Sequence, residues 1–178
     1  MQNWKTLSRE TILDKNPHLV VESHSIQLPD GQIIEDWTWV ITPDYVLVAA
    51  ITDDNRYICF RQTKYAVKGT TLATVGGYIE KGEEPLSAAK RELLEETGYK
   101  AGTWEHLGEF VVNGNRGDGI GHFFLARAAH KTTEINSDDL EEQQLLLLSR
   151  AEAEAAVLRG AFKLMAAEAI MALTLLKW

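Results

Sequence analysis

The chemistry of this chain is concentrated in a short run, RELLEETGY, in which Glu92, Glu95 and Glu96 stand at i, i+3 and i+4. On a helix that spacing puts all three carboxylates on one face within roughly 100° of arc. Like charges so close repel by roughly 0.2–0.5 kcal/mol per pair on an exposed helix. They also fall near a helix C-terminus, where the backbone dipole disfavours anions. Local rules broken together are expected where a ligand compensates for them. Clustered carboxylates suit a hard divalent cation, Mg²⁺ or Mn²⁺. Arg91, four residues before Glu95, can pair with it and fix its rotamer. Glu83 can reach the same ions from the loop before the helix. Gly76-Gly77 lets backbone approach closely, so a carbonyl can add an oxygen ligand. A solvated charged face laced by i, i+4 pairs accounts for the same spacing.

The surrounding elements must hold these groups in place. Pro85 to Thr97 reads as a helix, with Pro85 in its first turn and Gly98 at its stop. Leu86, Ala89, Leu93 and Leu94 give it an apolar stripe away from the acids. Upstream, the pattern predicts strands over 19–28 and 32–41, joined by a Pro29-Asp30-Gly31 turn. Further strands are expected over 45–51, 57–61 and 70–75. Downstream, strands over 104–112 and 122–129 flank a glycine-rich loop, 113–121. Leu145 to Leu148 reads as a strand. Ser149-x-x-Glu152 has the form of a capping box opening a helix that stops near Gly160. A last apolar helix fills 162–177. The interleaving gives an α+β chain, with residues 1–44 as an N-terminal antiparallel strand extension and 45–178 as the main domain.

Composition narrows the function. The 178 residues suit one domain with a sizeable core, and 45% apolar against 25% charged is the balance of a globular protein. The formal charge of −8 argues against nucleic acid and against an anionic membrane surface. The excess is local. Residues 77–99 carry six acids against three bases, residues 134–154 carry seven against one, and the rest is near neutral. Cys59 is the only cysteine, which excludes an intrachain disulfide and a cysteine zinc cluster. The polar N-terminus does not read as a signal peptide, so the expected location is cytoplasmic.

Nine positions then carry a resemblance. Gly77, Glu83, Arg91-Glu92, Leu93, Glu95-Glu96, Gly98 and Tyr99 match the Nudix box at every specified position and spacing. The chain therefore resembles the Nudix hydrolases. That resemblance implies the Nudix fold, a mixed β-sheet sandwiched between α-helices. It implies that Glu92, Glu95 and Glu96 serve divalent metals with help from Glu83. Arg91 would orient the carboxylates, and the Gly76 carbonyl would complete a metal shell. The looser layout around LPDG, RQTKY (Arg61 to Tyr65) and VGGYIEKGE resembles the ADP-ribose pyrophosphatase branch. Position 114 is Gly where that branch usually carries proline, which leaves the identity of the sugar open.

The implied substrate is a nucleoside diphosphate linked to another group, most simply ADP-ribose or a related nucleotide sugar. Divalent cations would make a carboxylate-rich site attractive to a diphosphate, polarise it and activate water for attack on phosphorus. A carboxylate must take the proton: Glu95, or Glu141 or Glu142 on the acidic loop. Arg61 is a candidate phosphate contact because its fork suits bidentate binding. Arg116, in the glycine-rich loop, can close over substrate. Trp37 and Trp39, two apart on one strand, can stack on a base, although core or interface packing explains them as well. The branch also implies a homodimer that exchanges the hairpin 19–41. The alternative function is a non-catalytic Nudix module that senses a nucleotide.

Overall fold

The computed structural model describes residues 2–135 and 142–177. By backbone contacts the chain divides into two compact units, Met1–Asp44 with Phe110–Ile120, and Tyr45–Glu109 with Gly121–Trp178.

In the first unit, β1 (Lys5–Lys15), β2 (Leu19–Gln27) and β3 (Ile33–Ile41) pair antiparallel in sequence order. The turn between β2 and β3 closes where Gly31 N–H donates to Leu28 O at 2.9 Å and Leu28 N–H donates to Gln32 O at 2.8 Å. β1 is a strand that the polarity of the N-terminus did not announce. Every one of its residues is exposed, so it carries no buried face for a period-2 pattern to report. Phe110–Ile120 belongs here because Val40 pairs in parallel with Gly117, and Val40 N–H donates to Arg116 O at 2.8 Å. Residues 117–121, expected as loop, already run in the long strand β9 (Gly117–Lys131), leaving a tight turn after β8 (Tyr99–Asn113). Gly117 is needed at its place: its φ is 83°, and a side chain there would meet the Trp39 ring and the Val40 carbonyl.

The second unit is built on β4 (Tyr45–Thr52). It pairs antiparallel with β5 (Tyr57–Thr63) and β7 (Val75–Tyr78), and in parallel with β9. β6 (Thr70–Ala73) and β10 (Gln143–Leu148) pair antiparallel with β5. The single strand expected over 70–75 is thus two strands with different partners, parted at Thr74. Side-chain alternation on β4 makes two cores. Val46, Val48 and Ala50 face α1 (Pro85–Thr97), packing with Ala88, Ala89 and Leu93. Ala49 and Ile51 face α2 (Arg150–Leu158) and α3 (Met165–Leu176), packing with Ala153, Ala156, Ala167 and Ile170. The result is a mixed sheet between helices, the arrangement that the resemblance implies.

Helix ends follow their residues. Gly98, at φ 77°, stops α1 and donates its N–H to Leu94 O. The box at α2 is formed in both directions: Ser149 Oγ accepts from Glu152 N–H at 3.3 Å, and Glu152 Oε2 accepts from Ser149 N–H at 2.7 Å. α3 begins at Met165, three residues later than expected, because Lys163 N–H donates to Thr71 Oγ1 at 2.9 Å rather than entering a helix. Among the described residues no helix is long and apolar enough to cross a membrane.

Candidate active site

The acidic face of α1 is organised by one guanidinium. Arg91 Nε and Nη2 grip both oxygens of Glu83 at 3.0 and 2.9 Å. Nη1 donates to Glu92 Oε1 at 2.7 Å and to Glu95 Oε2 at 3.2 Å. Nη2 also donates to the Tyr78 carbonyl at 3.1 Å. These bonds use all five N–H donors that an arginine has, so Arg91 has none to spare for a phosphate and acts as a positioning residue. It draws together Glu83 from the loop, Glu92 and Glu95 from the helix, and the end of β7. The Glu83 carboxyl is held below its ordinary value, first by its hydrogen bonds from Arg91 and then by the Glu80 N–H. The Arg91 guanidinium is correspondingly pushed further toward its charged form by Glu83, Glu92 and Glu95.

The remaining pieces meet at β7. Glu96 is buried, and its Oε2 accepts from Gly76 N–H at 3.2 Å. A Cβ on Gly77 would strike the Glu92 carboxylate, so glycine there is what lets Glu92 lie against the strand. A Cβ on Gly76 would strike Leu47 and the Val46 carbonyl. The side chains of Glu83, Glu92 and Glu95 keep 16%, 13% and 45% of their exposure. Glu95 is thus the most accessible of the three. Beside Glu96 opens a cavity of about 360 Å³, lined also by Gly76, Gly77, Gln62, Lys64 and Gln143. Its polar groups are one carboxylate, a lysine and two amides, set in a wall that includes Val46, Leu47, Leu164 and Ala167.

Arg61 and Glu142 stand elsewhere than that cavity. Both line a smaller one of about 220 Å³, with Gln62 and Gln143, and Arg61 Nη1 donates to Gln144 Oε1 at 3.5 Å. Gln62 and Gln143 are register partners on β5 and β10 and border both spaces. Lys64, three residues past Arg61 in the same RQTKY run, is the cation that lines the Glu96 cavity, and sequence reasoning passed over it. Lys64 lies just past the end of β5, where strand alternation no longer tells which way a side chain turns, so the sequence carried no signal for it. Glu141 lies outside the described residues.

Trp37, Trp39 and Arg116 come together in the first unit. The Arg116 guanidinium sits 4.8 Å from the Trp37 ring centroid and donates to Thr38 O at 3.2 Å. Trp37 Nε1 donates to Asn115 O at 2.8 Å. Trp39 stacks on His24 at 5.5 Å. Trp4, which the sequence reading did not single out, meets Trp37 edge-on at 5.3 Å. The three indoles, His24 and Asn115 border a cavity of about 300 Å³.

The family model of the NUDIX domain matches residues 42–167. The chain belongs to the Nudix family. A second model, the nucleoside diphosphate sugar hydrolase N-terminal domain, matches residues 4–40 of this Nudix hydrolase. Over 151 residues it is 33% identical to an ADP-ribose pyrophosphatase of Bacillus subtilis (strain 168), covering 83% of this chain and 80% of that one. Over 142 residues it is 30% identical to a methanol dehydrogenase activator of Bacillus methanolicus, covering 80% and 75%. The crystal structure of an ADP compounds hydrolase superposes with a TM-score of 0.80 at 20% identity, over 98% of this chain and 93% of that one, a likeness of fold. The chain is a Nudix pyrophosphatase, a phosphoric anhydride hydrolase, of a family that uses divalent metals.

Proposed function

We propose that this Nudix hydrolase cleaves the pyrophosphate of ADP-ribose or a related nucleotide sugar in a Mg²⁺- or Mn²⁺-dependent reaction. The observation that carries the reading is the cavity lined by the box carboxylate Glu96, by Gly76 and Gly77 and by Lys64. The curated relative that hydrolyses ADP-ribose and the sugar-hydrolase N-terminal model support the substrate class.

Glu92 and Glu96, with Glu83, Glu95 and the Gly76 carbonyl, fit a hard divalent cation by donor type, and Gly77 leaves Glu92 room against β7. A cation held by these groups supplies Lewis acidity and offsets phosphate charge. The chain does the rest. Arg91 holds Glu83, Glu92 and Glu95 together before substrate arrives, which favours preorganisation of the site. Lys64 offers a point charge to a phosphate, and Gln62 and Gln143 offer amides to the sugar. Glu95, the most exposed of the three carboxylates, is read as the group that takes a proton from the attacking water, with Glu142 and Glu141 as the other candidates for that role. The indoles Trp37 and Trp39 serve base recognition, with Arg116 held on Trp37. Arg61 is the candidate contact at the substrate's outer end.

The physiological unit in this reading is a cytoplasmic homodimer, with the 1–44 segment as exchange element. Exposed Leu7, Ile12 and Leu13 on β1 support it. A monomeric mass in solution scattering would refute it. The decisive activity test is a panel of nucleoside diphosphate compounds with and without Mg²⁺, run on the native protein and Glu96→Gln. Mg²⁺-dependent AMP release from ADP-ribose, lost in Glu96→Gln, is expected. Equal turnover in both proteins would refute the site, and binding without turnover would favour a sensing module.

A further inference from the structure

A different set of ligands lies on β8 and β9. His106, Glu109 and His122 each turn a donor atom to one point, and these atoms all lie within 4.8 Å of one another. His122 Nδ1 stands 3.6 Å from Glu109 Oε1. A strand alternates its side chains, so positions 106 and 109, three apart, belong on opposite faces. Gly108 breaks the alternation with a φ of 141°, a conformation open to glycine, and both side chains reach His122. The rings are supported from behind. His106 packs on Phe124 at 5.0 Å, Trp104 meets Phe124 edge-on at 6.4 Å, and the two imidazoles lie near parallel at 6.4 Å. His122 is buried, while His106 and Glu109 remain exposed and able to adjust.

We infer that His106, Glu109 and His122 form a second metal site, clamping β8 to β9 around a borderline divalent transition ion such as Zn²⁺. The donor set differs in kind from the all-oxygen face of α1. Two imidazoles and one carboxylate select Zn²⁺ over Mg²⁺, which prefers oxygen and gives up its water reluctantly. Bonds of about 2.0–2.2 Å place tetrahedral donors roughly 3.4 Å apart. The His122–Glu109 pair already stands near that spacing, and the exposed His106 ring and Glu109 carboxylate need to close by up to about 1.4 Å. Three protein ligands leave one position for water.

The probe is Zn²⁺ alone, titrated by calorimetry into the full chain under saturating Mg²⁺. One Zn²⁺ per chain is expected to bind through the Mg²⁺ excess. His106→Gln and Glu109→Gln, both at exposed positions, should each weaken that binding at least tenfold and leave Mg²⁺-supported hydrolysis unchanged. Glu92→Gln should leave the Zn²⁺ site intact. Zn²⁺ binding that is lost under Mg²⁺, that is unchanged in the two strand variants, or that disappears in Glu92→Gln would overturn the inference.

Discussion

Arg91→Lys isolates what the guanidinium fork does. The substitution keeps the charge and removes the planar geometry. Arg91 makes five hydrogen bonds, to Glu83 twice, to Glu92, to Glu95 and to the Tyr78 carbonyl. A lysine has three donors at one atom, so at least two of these bonds are lost. A hydrogen bond to a charged group contributes about 1.5–3 kcal/mol when shielded. Arg91 keeps 24% of its exposure, and water replaces part of what is lost. The expected cost is therefore about 2 kcal/mol of stability, read as a lower urea midpoint. Carboxylates displaced by an ångström lower turnover by about 10–100-fold, read as AMP release from ADP-ribose across a Mg²⁺ titration. A pH series adds a signature. The folded Glu83 pKa lies below its ordinary value of 4.5, so its contribution is fully present above that value and fades as pH falls through the folded pKa. That acid-side loss should be shallower in Arg91→Lys. Turnover within twofold of native with an unchanged urea midpoint would refute the reasoning, because charge alone would then suffice to order the carboxylates.

Glu168 on the apolar helix α3 has a buried Oε2 with no hydrogen-bond partner among the described residues, and burial raises its pKa. A raised carboxyl binds more protons folded than unfolded, so its ionisation lowers stability as pH rises above 4.5. Glu168→Gln should stabilise by about 1 kcal/mol at pH 7 and by much less near pH 4; an equal urea shift at both would exclude this origin. Gly77→Ala should push the Glu92 carboxylate off β7, lowering turnover at least tenfold while circular dichroism stays native; full activity would show that Glu92 has slack. Ser149→Ala removes the α2 capping box and should cost about 1 kcal/mol in urea unfolding without changing KM; no loss of stability would mean water caps the helix equally well.

The helix Pro85–Thr97 was legible to the residue because an N-terminal proline, an apolar stripe and a glycine stop that is also part of the box coincide there. The central strands were legible because they are buried and apolar. β1 was not, because a fully exposed strand has no hydrophobic period to read. The glycines at 117, 119 and 121 looked like a loop, yet they lie in β9, where small size answers to Trp39, Thr42 and Tyr45 close by. At the site, residue types and helical spacing brought Glu92, Glu95 and Arg91 together in advance. What they could not show was that Arg91 spends every donor on its neighbours, or that Lys64 rather than Arg61 borders the Glu96 cavity. Both depend on which way side chains turn in the folded chain, which composition and motif do not encode.

The two-faced packing of β4 also bears on how such a protein can change over generations. Val46, Val48 and Ala50 are committed to one core, and Ala49 and Ile51 to the other, so no side of this strand can absorb a change of volume. Drift is channelled away from it. New substrate preferences have more room to arise at exposed positions such as Arg61, Thr63 and Tyr65 or along β1, which belong to neither core. Divergent relatives can thus keep one catalytic scaffold while altering the molecules they accept.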